Sequence, residues 1–250
     1  MKPKTQYVRL AGMNARPNWP NNRLLRSLSP RQLKRLLPDL EHVVCRREQI
    51  LADADSPLDY VFFPDTGVVS VVAVYADGRI IEMATIGREG CSGVQAFFGA
   101  RNSSIRLLVQ IPGSAVKMRR TAFNRAMETI PTFRTLISAY VEAFLEQILV
   151  SVACNGAHSL KERLVRWLLM MRDRSDHDAL PITQNLLADM LGVQRPTITN
   201  AARDLERAGL IVRGRQQVTI LDRHGLMREA CECYQLVRSR VAYHLPKTYA

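Results

Sequence analysis

Residues 183–215, TQNLLADMLGVQRPTITNAARDLERAGLIVRGR, constrain the fold more tightly than any other part of the chain. From Gln184 onward, apolar side chains fall at Leu187, Leu191, Val193, Ile198 and Ala201, with the small residues Ala188 and Gly192 between them. Two short helices that cross steeply must bury their contact at such positions. Ala188 leaves room for the second helix, and Gly192 can adopt the positive φ of a sharp turn without steric cost. The spacing predicts a helix, a tight turn and a second helix. Arg195, Thr197, Thr199, Asn200 and Arg203 then point outward from the second helix; all can hydrogen-bond and none is acidic. That face suits the donors and acceptors on the base edges of double-stranded DNA. Ala208-Gly209 predicts the helix end, and residues 210–213 and 218–221, joined through GRQQ, predict the hairpin "wing" of a winged helix. Thr183 at the helix start, with Arg213, Arg215 and Gln217 on the hairpin, are the candidates for phosphate contact.

A net charge of +12 agrees with a polyanionic partner but does not locate it. Eleven Lys and Arg against three acids already fall in residues 1–50, far from the proposed reading head. No uncharged apolar run approaches the ~20 residues needed to span a bilayer. The basic segment 1–23 lacks the apolar centre of a secretory signal and reads as a mobile arm. Five scattered cysteines suit reduced thiols in a cytoplasm.

Residues 24–40 read as helical, with Ser29-Pro30 as a helix start. From 43 to 118 the text becomes strand-like. VVSVVAVY and RIIEMATI flank the hairpin signal Asp77-Gly78, and RLLVQI and AVKM flank Pro112-Gly113, a second turn signal. Short strands at this spacing predict an antiparallel jelly roll. A long helix follows over about 131–156, ended by Asn155-Gly156 as a hinge. It carries two stripes: Ile137, Val141, Phe144, Ile148 and Val152, and beside them Leu136, Tyr140, Leu145 and Leu149. Two stripes imply two burial partners. One can pack on the strands, and the first can meet the same helix of a second subunit along ~39 Å. The fold class is thus α+β: a basic arm (1–23), a jelly-roll sensor (24–120), a dimerisation helix and hinge (121–157), a winged helix-turn-helix (158–226) and a C-terminal helix or tail (227–250).

In this order of parts the chain resembles the Crp/Fnr family over residues 24–225. The resemblance is sharpest at 180–226 and looser at VFFPDTGVVSVV, ADGRIIEMATIGREG and IPGSAV. It implies a homodimeric bacterial transcription regulator whose sensor shifts the long helices, and RNA polymerase as a further partner. It also exposes departures. Where cyclic-nucleotide-binding members of the family carry Gly-Glu-Leu and an Arg-Ser or Arg-Thr pair, this chain has Gly93-Val94-Gln95 and Ser103-Ser104. A cyclic phosphate would lose its charge-assisted bonds there, so the effector is expected to differ from cyclic AMP and is unidentified. The family's Arg-Glu at the start of the recognition helix is replaced by Arg195-Pro196, with Asn200 a turn later, which predicts a shifted operator. Arg195 suits guanine and Asn200 adenine.

Two other classes of function stand beside this one: a cyclic-nucleotide-responsive regulator with non-standard binding residues, and a sensor or scaffold that does not bind DNA. An enzyme is not expected, because residues 43–118 hold no histidine and no phosphate loop, nucleophile elbow or paired-carboxylate site is found. No cofactor or metal is expected either, although haem, which needs only one His and a second ligand, stays open. The histidines are dispersed, and Cys231-x-Cys233, placed on a C-terminal helix, would not share a face. Too few N-terminal cysteines are present for an iron–sulfur cluster.

Overall fold

The computed structural model describes residues 19–175, 177–246 and 248. Residues 1–18 of the proposed arm lie outside them. The last part of that arm is anchored: Asn22 is buried, donates from Nδ2 to the carbonyls of Pro64 and Gly90, and caps the next helix through its side-chain oxygen. Helices α1 (Arg23–Arg26) and α2 (Pro30–Leu36) follow. The second begins at the expected Ser29-Pro30 with a reciprocal capping box between Ser29 and Gln32.

The strand region is β1 (Leu40–Cys45), β2 (Ile50–Ala52), β3 (Tyr60–Val74), β4 (Ile80–Ile86) and β5 (Arg106–Arg119). It forms one antiparallel sheet in the order β1-β5-β3-β4, with β2 also on β5. The predicted hairpin at Asp77-Gly78 joins β3 to β4, with Gly78 at φ +85°. Pro112-Gly113 does not form the expected turn: β5 runs straight through it. Gly67 and Gly113 explain why. A Cβ at Gly113 would lie 2.5 Å from the Thr66 carbonyl oxygen, and one at Gly67 would lie 2.5 Å from that of Ile111. The two long strands therefore approach and bend there through register shifts, and the bend curls the sheet without ending a strand.

Helix α3 (Arg120–Thr129) leads into α4 (Pro131–Ala157). Asn155-Gly156 lies within the last turn of α4, one step short of the break at His158-Ser159. Asn155 and Gly156 are exposed and helical, so neither has to stop the helix. What fixes the break is Ser159, which starts α5 (Leu160–Arg174) in a capping box with Glu162.

The first stripe of α4 is divided. Ile137 (0% exposed) and Phe144 (8%) are buried in their own chain's core and cannot serve a dimer seam. Val141 and Ile148 are half-buried and Val152 is exposed, together with Leu145 and Leu149. The open edge thus runs Val141, Leu145, Ile148, Val152 at the 4-3-4 spacing of a coiled-coil seam, flanked by Leu149. By length and apolar composition alone α4 would suit a membrane span. Glu142 and Glu146 interrupt it, however, and pair with His244 and Arg240 of the C-terminal helix that packs along it.

The C-terminal part comprises β6 (Ala179–Leu180), α6 (Gln184–Leu191), α7 (Arg195–Arg207), β7 (Ile211–Arg213), β8 (Val218–Ile220), α8 (Arg223–Glu229) and α9 (Cys233–His244). The expected single terminal helix is two, with a turn at 230–232 between them.

Candidate nucleic-acid interface

The predicted helix-turn-helix is α6 and α7. Thr183 caps α6 by accepting from the Leu186 N–H, and Gly192 closes it at φ +66°. Leu187, Ala188 and Leu191 meet Ile198, Ala202 and Leu205 in the buried contact. Ala202 is buried and Ala201 half-buried, so the inward face of α7 lies one residue beyond the expected position. Strands β6, β8 and β7 form the wing sheet, and the Gly214 N–H donates to the Gln217 carbonyl at 2.8 Å to close its tip.

The outward face is presented largely as read. Arg195, Thr197, Asn200 and Arg203 are exposed on α7. Pro196 sits in the first turn, where its missing N–H leaves no bond unmade. Thr199 differs: its hydroxyl lies 2.9 Å from both Gln184 Oε1 and the Arg195 carbonyl, so it ties the two helices together. Arg213 differs for a similar reason. Its guanidinium donates to Glu206 at 2.5 and 2.9 Å, and its backbone N–H also bonds Glu206, which clamps the wing to α7. These bonds hold the Glu206 carboxyl below its ordinary range. Thr199 and Arg213 are therefore structural bracing within this site.

Thr183, Arg195 and Arg215 line one surface cleft with Gln184, Asn185, Gly214 and Gln216. The start of α6, the start of α7 and the wing tip thus converge on one groove, with Gln217 exposed beside it. Two helix starts and two exposed arginines on a shared groove suit an anionic backbone. Asn185 and Gln216 had no sequence signal beyond their neighbours.

Sequence reasoning also missed what the reading head rests on. An ideal Cβ at Gly192 would touch Ile81 of β4 at 3.4 Å. Trp167 of α5 packs in the core as expected, and in addition its Nε1 donates to Glu82 Oε1 at 2.7 Å. Ser70 donates to the other Glu82 oxygen at 2.5 Å. Desolvation pushes the Glu82 carboxyl up to about 7, against the opposing pull of Ser70, Trp167, Arg166 and Arg174. Deeper in, Arg174 is 3% exposed and donates from Nε to Glu89 at 2.7 Å and from Nη2 to Gln147 Oε1 at 2.8 Å. Gln147 of α4 in turn donates to the Thr85 carbonyl of β4. Arg47 also donates to the Pro181 carbonyl. A lone Glu within IIEMATI and a lone Gln on the apolar face of α4 were the available signals.

In the sheet domain, Gly93 takes φ +76° and opens a short 3₁₀ turn over residues 94–98. Ser103 is buried and its hydroxyl donates to the Ile105 carbonyl at 2.7 Å. Arg106 is held by Asp53 at 2.9 Å.

Comparison with known families and structures agrees with this layout. Residues 42–130 match the cyclic nucleotide-binding domain, and residues 162–229 match the Crp-like helix-turn-helix domain. Comparison with curated protein sequences gives no match. Among solved structures, the chain is similar to FixK2 from Bradyrhizobium japonicum, with 19% identity and a TM-score of 0.66 over 77% of this chain and 98% of that one. It is similar to a CRP-family transcriptional regulator from Thermus thermophilus, TTHB099, with 20% identity and a TM-score of 0.62 over 75% and 95%. It is also similar to the global regulator CLP from Xanthomonas campestris, with 15% identity and a TM-score of 0.64 over 78% and 100%. At these identities the likeness is one of fold.

Proposed function

Since this chain belongs to the Crp/Fnr family of transcription regulators, its two matched domains standing in that family's order, we propose that it acts as a cytoplasmic homodimer reading a two-fold-related DNA site with paired copies of α7. The observation that carries this reading is the exposed row Arg195, Thr197, Asn200 and Arg203 beside a groove that also holds Thr183 and Arg215. Arg195 would fork onto guanine O6 and N7, and Asn200 would pair with adenine N6 and N7. Thr183, Arg215 and Gln217 would set the register on phosphates. The open apolar edge of α4 supports the dimer, because two-fold half-sites require two heads at fixed separation. A promoter-bound dimer would then offer a surface to RNA polymerase.

We propose further that the sheet domain answers to an effector other than cyclic AMP. At Ser103-Ser104 the buried hydroxyl is already used by Ile105, and Arg106 is already paired with Asp53. Neither arrangement resembles a cationic fork on a phosphate.

A footprint of the purified protein on genomic fragments tests both readings. The expected result is protection of two related half-sites about one helical turn apart, with affinity falling steeply as salt rises. Absent or salt-insensitive binding, with cell extract supplied as a source of effector, would overturn the DNA reading. A footprint sharply tightened by cyclic AMP would overturn the effector reading.

A further inference from the structure

Four side chains far apart in sequence meet at the hinge: Cys154, His158, Cys231 and Cys233. Their ligand atoms all lie within 4.8 Å of one another. Cys154 lies in the last turn of α4, and His158 is its C-cap, whose backbone N–H bonds the Cys154 carbonyl, so the two are held together at the helix end. Cys231 precedes α9 in the turn and Cys233 is its first residue, so the helical spacing that would have set them on different faces does not apply.

The distances are those of a tetrahedral shell. Zinc–sulfur bonds of about 2.3 Å and zinc–nitrogen bonds of about 2.0–2.1 Å place the ligand atoms of a tetrahedron roughly 3.8 Å (S to S) and 3.6 Å (S to N) apart. Cys154 Sγ and Cys231 Sγ lie 3.6 Å apart, and Cys233 Sγ and His158 Nδ1 lie 3.7 Å apart. No disulfide joins the cysteines.

Two further observations point to an ion at the centre. His158 Nε2 lies 3.1 Å from Glu232 Oε2. A proton held on Nε2 by that carboxylate leaves the Nδ1 lone pair aimed at the sulfurs, an arrangement common around zinc-bound histidines. Beside the cluster, Arg166 is buried (6% exposed), donates to Ser151 Oγ and Met170 Sδ, and makes no ion pair among the described residues. Its charge is offset only at longer range, by Glu82. Three thiolates and one imidazole on a divalent ion carry net charge −1, which adds to that offset.

We propose that Cys154, His158, Cys231 and Cys233 bind one zinc ion in a closed Cys₃His site. The three sulfurs are buried and His158 is 14% exposed at its side chain, so the shell is complete without water, as in structural zinc sites. Binding displaces the proton of each thiol to solvent and breaks no other bond. The ion ties the end of α4 to the α8–α9 turn, across the point where α5 departs toward the reading head. It fixes the angle at which α5 leaves α4. This assignment does not depend on the DNA reading.

The untagged full-length chain, purified with reductant and no chelator, is the material for the test. It should carry about one zinc per chain, and Co(II) exchanged into it should give the intense visible bands and thiolate charge transfer of a tetrahedral site. Changing Cys231→Ser and Cys233→Ser together should abolish both, while Cys45→Ser, a buried cysteine remote from the cluster, should keep both. Should the double variant fail to fold, the Co(II) spectrum of the unmodified chain decides alone. An octahedral Co(II) spectrum, metal-free protein that takes up no Co(II), or a Cys154–Cys231 disulfide in the reduced-purified protein would overturn the proposal.

Discussion

Replacing Leu145 by alanine separates the two ways of assigning the α4 seam. Leu145 is 53% exposed in the single chain, and it sits midway along the open edge between Val141 and Val152. Full burial of a leucine side chain contributes about 2.5 kcal/mol. The exposed half therefore has about 1.3 kcal/mol to gain in a dimer, of which alanine keeps about 0.3. Two symmetric copies double the loss to about 2 kcal/mol, a rise of roughly 30-fold in the dimer dissociation constant. Sedimentation velocity or mass photometry across a dilution series reads this directly. Ile137→Val is the matched control. Ile137 lies in its own chain's core, so the change should cost about 0.5–1.5 kcal/mol of folding stability and leave the dimer constant unchanged. A dimer constant that moves less than about threefold in Leu145→Ala, against the 30-fold expected, would refute the assignment. So would one that moves in Ile137→Val.

Three other outcomes are expected. Arg195→Ala should relax preference at one base pair of each half-site by about 1–3 kcal/mol in binding assays on operator variants, whereas Arg215→Ala should weaken all sequences alike and lower the salt slope by about 1. Glu82→Gln should flatten the pH dependence of stability between about pH 4.5 and 7. Folding raises this carboxyl to about 7 from its ordinary value of 4.5, so its contribution is complete below pH 4.5 and is lost as pH rises through 7. That loss amounts to about 3 kcal/mol, and a parallel pH profile in thermal melts of the two proteins would contradict it. Arg174→Met leaves Glu89 buried without its cation and should cost about 3–5 kcal/mol in denaturant unfolding; a loss under 1 kcal/mol would mean that Glu89 is solvated on its own.

The parts legible in the sequence were those fixed by local chemistry. Gly192, Asp77-Gly78 and Ser29-Pro30 each specify backbone geometry by themselves, and all three occur where expected. Long-range pairing was not legible. Pro112-Gly113 has turn chemistry, yet the close approach of Gly67 makes it a bend in a paired strand. Periodicity placed α4 correctly but could not phase it, because stripes one residue apart differ by about 100° and both were apolar. Thr199 and Arg213 satisfied every local criterion for DNA contact; only the tertiary positions of Gln184 and Glu206 show that they are already engaged. Cys154 and His158 lie more than seventy residues from Cys231 and Cys233, so no spacing motif could announce their meeting.

Strand β4 is the element through which the sheet domain can act on the reading head. It touches α4 through Thr85 and Gln147 and α5 through Glu82 and Trp167, and it lies against α6 of the helix-turn-helix, with Ile81 close to Gly192. These contacts differ in strength. Arg174 is shared between Glu89 and Gln147 in a dry environment, so α5 is bound firmly to α4 and the sheet at that end. The Glu82–Trp167 bond has an acceptor whose charge changes near neutrality, and Ile81 offers α6 only an apolar side chain. An effector that moved β4 would strain these outer contacts before the buried Arg174 end. About 5.5 kcal/mol of differential effector binding reverses a 99:1 equilibrium, and that binding must also cover whatever the released contacts had contributed.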